Sequence, residues 1–307
     1  MDIFITILMT FFSATAAYLV VSTAGLVSEK SGTVNIALEG TMIIGAFAYS
    51  SVVYFGGEAG MAAGGLQLLG ILVAMVAGLI WSMLLALPTI NFMSDHIITG
   101  TALNLIAPAL TMLIMQQGMS LDHLSPALNS LGSNTSGFYW IYFGFFAVAA
   151  VLVVAIWYLM NKTNIGLRIR AAGENPHSLE SAGVSVFKIR YLALALAGLL
   201  AGLGGVFSLR IFANTFTGAV NGMGYIAIAI LIAGNWSTKG NVMWSLIFGV
   251  IISITASYTA ILGSSPEVVP KEVIQMIPFI IPVIALIFVK DSKAPTAEGI
   301  PYNKEEH

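Results

Sequence analysis

The chain has 307 residues, of which 58% are apolar and only 8% carry a formal charge. Soluble globular domains average about 25% charged residues, so this chain has too little polar surface to coat a water-soluble body. The composition excludes a soluble enzyme, a disordered chain and a nucleic-acid binder. The net charge of −2 implies no global electrostatic partner, and the absence of cysteine excludes disulfides and thiolate chemistry. The sequence therefore predicts a polytopic membrane protein.

The uncharged runs predict an all-α integral membrane bundle of about nine spans, within a range of about eight to ten. The predicted spans are 3–28, 33–56, one within 59–94, 97–117, 138–160, 191–209, 219–236, 241–263 and 273–289. Apolar stretches rich in Gly and Pro leave a re-entrant segment open. No basic region precedes the first run, so it is expected to be a retained helix and not a cleaved signal. We expect one transmembrane domain over 1–307, with a polar loop at 162–190 and a polar tail at 290–307.

Basic residues predict the orientation, because they concentrate on the cytoplasmic side of a membrane. With nine crossings and the N-terminus outside, only Arg210 and Lys271 of the twelve Lys and Arg residues lie outside. The opposite orientation would invert that ratio. We therefore expect an N-out, C-in chain with the 162–190 loop in the cytoplasm.

Two features within the predicted spans have a structural interpretation. Small residues recur every four positions in one span, which allows close packing of helix backbones and favours bundle packing over a dimer motif; these are Ala193, Ala197, Ala201 and Gly205. Glu39 is the strongest candidate for a charge at membrane depth. A capping or snorkelling role near the inner surface is favoured for Glu39 over a transport role.

The chain lacks the sequence signatures of catalysis and of an energy source. No Gly-x-x-x-x-Gly-Lys-Ser/Thr sequence occurs, so the chain is not expected to bind ATP through a P-loop. The four histidines have no metal-ligand spacing. We therefore expect no catalytic residues, no metal and no cofactor. An ion-coupled carrier normally has several ionisable residues at membrane depth, so the energy for any active transport must come from a partner.

The 162–190 loop contains a short predicted helix over 176–182, about 10 Å long. Asn175 suits the N-cap, Pro176 the first helical position and Gly183 the left-handed position after the helix. Leu179 and Ala182 share one face. By spacing alone, a connector on the membrane surface and a peg that docks in a groove of a cytoplasmic partner are equally supported.

Several segments carry a family resemblance. Residues 28–40 (SEKSGTVNIALEG) resemble the N-terminal signature of permease subunits of bacterial ABC importers for branched-chain amino acids, simple sugars and nucleosides. Residues 166–176 (GLRIRAAGENP), followed by Ser181, Ala182 and Gly183, resemble the family's ATPase-contacting loop. Residues 97–104 (IITGTALN) and 224–236 (GYIAIAILIAGNW) also resemble family segments. The closest resemblance is to the nucleoside and simple-sugar branch.

The resemblance implies a non-enzymatic permease subunit in the bacterial cytoplasmic (inner) membrane. The implied partners are a separate ATP-binding cassette ATPase, a second permease subunit that is commonly a different chain, a solute-binding lipoprotein and membrane lipid. The resemblance also favours the docking peg. The residues that it assigns to the ATPase-facing element are Gly173, Glu174, Asn175, Pro176, Ala182 and Gly183.

The solute is expected to be a small polar molecule, with nucleosides favoured and riboflavin, simple sugars and branched-chain amino acids left open. Aromatic faces and amide groups at membrane depth suit a planar heterocycle. The candidate path residues are Thr101, Asn104, Gln116, Asn214, Phe216, Asn221 and Tyr225. A passive channel and an ion-coupled secondary carrier are the alternatives from another class; a channel would function without nucleotide.

A weak internal similarity is compatible with an inverted repeat. Residues 35–47 and 222–236 are both rich in Gly, Ala and Ile, with a polar residue near the predicted inner surface. They are predicted to run in opposite directions through the membrane, as inverted transporter repeats require.

Overall fold

A computed structural model shows a bundle of helices. It describes residues 3–59, 63–119, 121, 123–124, 135–209, 211, 215–258, 271–287 and 293–303. The helices in this part of the chain are α1 (Ile3–Glu29), α2 (Leu38–Glu58), α3 (Ala63–Ala86), α4 (His96–Leu113), α5 (Thr135–Lys162), α6 (Asn164–Glu174), α7 (Pro176–Ser181), α8 (Val186–Leu209), α9 (Met223–Ala233), α10 (Thr238–Ala256) and α11 (Lys271–Ile287). Single π-helical turns, Leu87–Asn91 and Ile114–Gly118, extend α3 and α4.

Side-chain caps fix where several helices begin. The Asp95 carboxylate accepts hydrogen bonds from the N–H groups of Ile97 and Ile98 at the start of α4. Thr163 accepts one from Gly166 N at the start of α6, and Ser237 accepts one from Gly240 N at the start of α10. Each cap satisfies a backbone donor that the first helical turn leaves without an intrahelical partner.

In the described part of the chain, seven helices are long and apolar enough to cross a membrane. They are Phe4–Glu29, Leu38–Gly57, Gly64–Asn91, His96–Gly118, Phe143–Lys162, Val186–Leu209 and Thr238–Ala256. The helical membrane bundle is thus confirmed, whereas the count of nine spans and the orientation stay predictions. The difference lies in the predicted spans 219–236 and 273–289, which correspond to the shorter helices α9 and α11, with 11 and 17 residues.

The helix α9 is short because its predicted first turns are not helical. Gly218, Asn221 and Gly222 have φ angles of 87°, 53° and 76°. These left-handed conformations interrupt helical hydrogen bonding before Met223. Eleven residues span roughly 16 Å, about half of the hydrocarbon core.

The centre of the bundle is α8, which packs against α1, α2 and α3. The small-residue row lies in these contacts: a Cβ on Gly205 would lie 2.1 Å from Met42 O, and one on Gly202, one residue out of phase with the row, would lie 2.4 Å from Ala74 O. Such distances leave no room for a side chain. The predicted use of the row in bundle packing is therefore confirmed within the chain.

Candidate functional site

The α6–α7 pair lies at the polar end of the bundle, which we define as residues 30–33, α6, α7 and residues 293–303. The predicted short helix is present as Pro176–Ser181. Its start is capped by Asn175, whose Oδ1 accepts a hydrogen bond from Ser178 N at 3.0 Å. Gly183 follows with a φ of 79°. The predicted N-cap and left-handed position are thereby confirmed.

The six residues assigned to the ATPase-facing element fall into two groups. Glu174, Asn175, Ala182 and Gly183 are exposed. Gly173 and Pro176 are buried. A Cβ on Gly173 would lie 2.4 Å from Lys30 O, so this glycine allows α6 to approach the 30–33 turn. The exposed group is available to a partner, whereas the buried group holds the helix pair against the bundle.

A second constellation surrounds the first turn of α9. The Glu39 carboxylate, on α2, accepts hydrogen bonds from Gly222 N at 2.8 Å and from Gly224 N at 2.6 Å. A carboxylate at this position satisfies orphan backbone donors and complements the positive end of the helix dipole. A capping role was expected for Glu39, but the helix that it caps is α9.

Asn104 places this constellation inside the bundle and away from its polar end. Val34 N donates to His96 Nδ1 at 3.1 Å, and eight residues further along α4 the Asn104 Oδ1 accepts a hydrogen bond from Gly40 N at 2.7 Å. Eight residues of helix correspond to roughly 12 Å. The other end of α9 reaches the polar end, because Trp236 Nε1 donates to Glu29 Oε2 at 2.6 Å. Thus α9 runs from the interior of the bundle to its polar end.

The structure brings only some of the candidate path residues to this constellation. Asn221 and Tyr225 flank the capped turn, and both are exposed, Tyr225 to 46%. Asn104 is 4% exposed and also donates from Nδ2 to Ile36 O at 2.7 Å. In this conformation its amide therefore joins α4 to the start of α2.

The remaining candidates lie elsewhere. Phe216 is fully buried; its backbone pairs with Leu124, and its ring centroid lies 5.9 Å from that of Phe47. Thr101 and Gln116 are exposed on α4 and on its π-helical extension. Thr101 Oγ1 donates to Ile97 O, within its own helix, at 2.8 Å. Asn214 lies outside the described residues.

The C-terminal segment 293–303 has a role in the fold that the sequence analysis did not anticipate. It runs along the polar end of the bundle, where Ala297 N donates to Gly173 O at 2.8 Å and Gly299 N donates to Gly32 O at 3.0 Å. Arg190, only 2% exposed, donates from Nη1 to Ile300 O at 3.2 Å. The apolar Ala297 and aromatic Tyr302, both buried, were the available sequence signals for docking.

Two carboxyl groups meet where this segment reaches α1. Glu298 and Glu29 are hydrogen-bonded to each other. Burial raises the pKa of Glu298, against smaller opposing effects of the hydrogen bond to Glu29 and of the Lys30 charge. A hydrogen bond between two carboxyl groups requires a proton on one of them, because two carboxylates offer only acceptors. Burial lowers the pKa of Lys30, and the nearby Glu174 and Glu298 oppose that effect.

No metal site is evident in the part of the chain that the structure describes. No group of three or more His, Cys, Asp or Glu side chains there could hold a metal ion. The two arrangements suited to function are thus the exposed α7 region and the polar groups around the start of α9.

The sequence matches the family described as branched-chain amino acid transport system, permease component, over residues 7–286. The chain belongs to this permease family. The match extends from α1 into α11 and includes both the α6–α7 pair and the Glu39–α9 constellation.

Individual relatives agree with the permease assignment. The chain is 36% identical to the nucleoside ABC transporter permease protein of Lactococcus lactis subsp. cremoris, over 93% of this chain and 92% of the relative. It is 35% identical to the guanosine ABC transporter permease protein of Bacillus subtilis, over 94% and 93% respectively. It is 28% identical to a putative glucose ABC transporter permease protein of Haloferax volcanii, over 74% and 69%. These relatives confirm the resemblance to ABC transporter permeases of the nucleoside and simple-sugar branch.

Proposed function

We propose that this permease subunit forms part of the import path for nucleosides, driven by a separate ATP-binding subunit. The observation that carries the proposal is the similarity, along more than nine-tenths of the chain, to relatives that are named as nucleoside and guanosine permeases. A second permease chain and a solute-binding lipoprotein complete the proposed complex. The proposed location is the bacterial inner membrane, with the whole chain acting as one permease domain.

The solute path is proposed to pass the first turn of α9. Asn221 and Tyr225 are exposed there, and an aromatic face with an amide group suits a nucleobase. A helix that starts inside a bundle is also a recurrent way of building transporter sites. Glu39 and Asn104 hold the surrounding backbone, whereas Phe216, which lies elsewhere, stays a candidate path residue. Thr101, Gln116 and Asn214 stay candidate path residues.

The ATP-binding subunit is proposed to dock on the α6–α7 pair in the cytoplasm. Its contact includes Glu174, Asn175, Ala182 and Gly183, which are exposed, while the buried Gly173 and Pro176 support them from behind. The orientation that this requires is N-out and C-in. That orientation follows from the predicted nine spans and the bias of basic residues.

A simple sugar is the second candidate solute, because the Haloferax volcanii relative is named as a putative glucose permease. Its lower identity over a smaller share of the chain favours nucleosides. Riboflavin and branched-chain amino acids are further alternatives within the same architecture. A passive channel or an ion-coupled carrier would act without the ATP-binding subunit.

The function is tested by reconstituting the complex with its ATP-binding subunit and solute-binding protein in vesicles. We expect ATP-dependent uptake of radiolabelled guanosine that unlabelled nucleosides suppress and glucose does not. Vesicles that contain this chain alone should show no ATP-dependent uptake. Glucose uptake without guanosine uptake would replace the nucleoside assignment, and uptake by the chain alone would contradict the need for a partner.

A further inference from the structure

The α6–α7 pair and the α9 half-helix have different packing partners. Apart from each other, the main neighbours of α6 and α7 are α5 and α8, whereas those of α9 are α1, α2, α10 and α11. If an ATPase moves α6 and α7, that movement must reach the turn that carries Asn221 and Tyr225. Contacts between helices therefore connect these two regions only indirectly, through other helices of the bundle.

The segment 293–303 contacts the α6–α7 side directly. Ala297 N donates to Gly173 O at 2.8 Å, and Thr296 Oγ1 donates to Glu174 O. The ring of Tyr302 lies 5.1 Å from the His177 ring of α7. The segment is thus bound to the last turn of α6 by backbone and side-chain groups and to α7 by a ring contact.

The same segment also contacts the turn that ends α9. Lys293 N donates to Asn235 Oδ1 at 2.7 Å. Glu298 is hydrogen-bonded to Glu29, which accepts a hydrogen bond from Trp236. Asn235 and Trp236 follow Gly234, the C-cap of α9, and have φ angles of 54° and 49°. Because this turn is compact and is held by the segment at two points, we expect a displacement of the segment to move α9, the helix that the turn terminates.

Buried groups hold the middle of the segment. Arg190 donates to Ile300 O, and a Cβ on Gly32 would lie 2.9 Å from Arg190 Nη2 and 3.1 Å from Ala297 O. The guanidinium is therefore close to the segment and bonds to one of its carbonyl groups through Nη1, while Nε and Nη2 are buried without a hydrogen-bond partner. The bond to Ile300 resists separation, because breaking it would leave the buried charge with still less compensation. The segment is positioned to move as one piece with α6 and α8.

We propose that residues 293–303 transmit the ATPase-driven movement of α6 and α7 to the C-terminal end of α9, which lies at the polar end of the bundle. The inference rests on the proposed function, since it requires an ATPase that docks on α6–α7. It assigns Asn235, Thr296 and Glu298 as positioning residues, which act on the solute path through α9 and do not touch the solute.

The test measures solute uptake and ATP hydrolysis in the same vesicles, so that their ratio reports coupling. Three variants loosen the segment: truncation before Lys293, Asn235→Gly and Glu298→Ala. Glycine tolerates the positive φ of residue 235, so Asn235→Gly removes the acceptor of the Lys293 bond without straining the turn. The matched controls are Asn235→Asp, which keeps the acceptor, and Glu298→Gln, which keeps both an acceptor and a donor for the contact with Glu29.

We expect the loosened variants to retain ATP hydrolysis while uptake per ATP falls roughly fivefold or more, the lower end of the usual range for coupling between sites. The two controls should stay near the wild-type ratio. A merely structural segment would instead lower abundance and thermal stability without changing the ratio. If the truncated chain fails to assemble, the two point variants decide, and an unchanged ratio in both overturns the proposal.

A crosslink distinguishes two roles of the segment 293–303. Either the segment moves together with α6 and α8, as proposed, or it is a latch that must separate from them during each transport cycle. The chain has no cysteine, so Phe187→Cys on α8 with Tyr302→Cys, whose rings lie 5.8 Å apart, gives a unique pair for a short bis-maleimide. We expect crosslinked complexes to keep the uptake of the uncrosslinked double variant, because the segment moves together with α6 and α8. Loss of uptake on crosslinking would overturn the proposal in favour of a latch. Failure of the wild-type complex to take up guanosine would instead refute the nucleoside assignment and leave the coupling ratio measurable with glucose.

Discussion

At the scale of single residues, Glu39 connects two parts of the bundle that are distant in sequence. It lies in the first turn of α2 and accepts hydrogen bonds from Gly222 and Gly224, which are 183 and 185 residues away. A Cβ on Gly224 would lie 2.5 Å from Glu39 Cα, so the two helix starts are in direct contact. The position of Asn221 and Tyr225 therefore depends on this carboxylate.

We predict that Glu39→Ala weakens both the fold and solute recognition. Each buried N–H left without an acceptor costs about 1–3 kcal/mol, so thermal stability in detergent should fall. The apparent KM for the solute should rise, because Tyr225 and Asn221 lose their fixed position. Glu39→Gln keeps one carbonyl acceptor and should give a smaller change in both.

The control for Glu39 is Ser82→Ala, which removes a different buried hydrogen bond, from Ser82 Oγ to Leu194 O at 2.7 Å. The bond joins α3 to α8, away from the solute site, so this change should lower thermal stability while leaving the apparent KM unaltered. An equal effect of Ser82→Ala and Glu39→Ala on KM would show that Glu39 has no specific influence on the solute site.

At the scale of single elements, α7 is a six-residue helix whose ends are defined by local sequence. Asn175 and Pro176 begin it, and the left-handed Gly183 follows it. Leu179 is buried and packs α7 onto the bundle, whereas Ala182 is exposed. The sequence predicted that the two residues share one face of the helix. In the structure Ala182 is the C-cap of α7 and is exposed, so it is available to the ATPase.

We predict that Ala182→Trp weakens ATPase association roughly 5- to 150-fold, since overfilling a packed contact costs about 1–3 kcal/mol. Ala182→Ser should have little effect. Both chains should reach the membrane in normal amounts, because residue 182 lies outside every described span. Co-purification of the ATPase with each variant measures the difference, and wild-type retention by Ala182→Trp would contradict docking at this point.

Gly183 tests the same element through its backbone. A Cβ at this position would meet nothing of this chain within 4 Å, so an effect of a substitution on the chain's own structure comes from the φ of 79°. Gly183→Val should therefore disturb the end of α7 and reduce uptake. Gly183→Asn should be better tolerated, because asparagine adopts left-handed conformations more readily. Equal uptake in the two variants would show that the conformation of this turn is unimportant.

At the scale of the whole molecule, the described helices include seven that could each cross a membrane and one that starts inside the bundle. Close glycine contacts around α8 make the centre compact, and the segment 293–303 closes its polar end. The proposed orientation places that end in the cytoplasm. Orientation is a property of the molecule in its membrane, so it is tested there.

We predict that single cysteines at Ser178 and Gln117 react from opposite sides of the membrane. Both side chains are exposed, and the chain contains no native cysteine. A membrane-impermeant maleimide should label Gln117→Cys in intact cells and Ser178→Cys only after permeabilisation. The reverse pattern would invert the orientation, and labelling of both from outside would contradict the predicted path of α4 to α6.

The sequence by itself determined the helical membrane bundle, the short helix α7 and the family. Long uncharged runs form helices in a membrane because every backbone polar group must be satisfied within the segment. The caps of α7 lie within a few residues of it, so their effect is local. The small residues of α8 were likewise sufficient to predict close packing, although not its partners.

Only the tertiary structure decided the length and partners of α9, the target of Glu39 and the position of the C-terminal segment. Each of these depends on contacts between residues far apart in sequence, such as Asn235 with Lys293 or Glu29 with Trp236. The apolar composition of 219–236 resembles that of a full span, and polar residues near the C-terminus resemble a solvated tail. Their actual structure follows from which buried donors and acceptors meet, and that is fixed only when the helices are packed together.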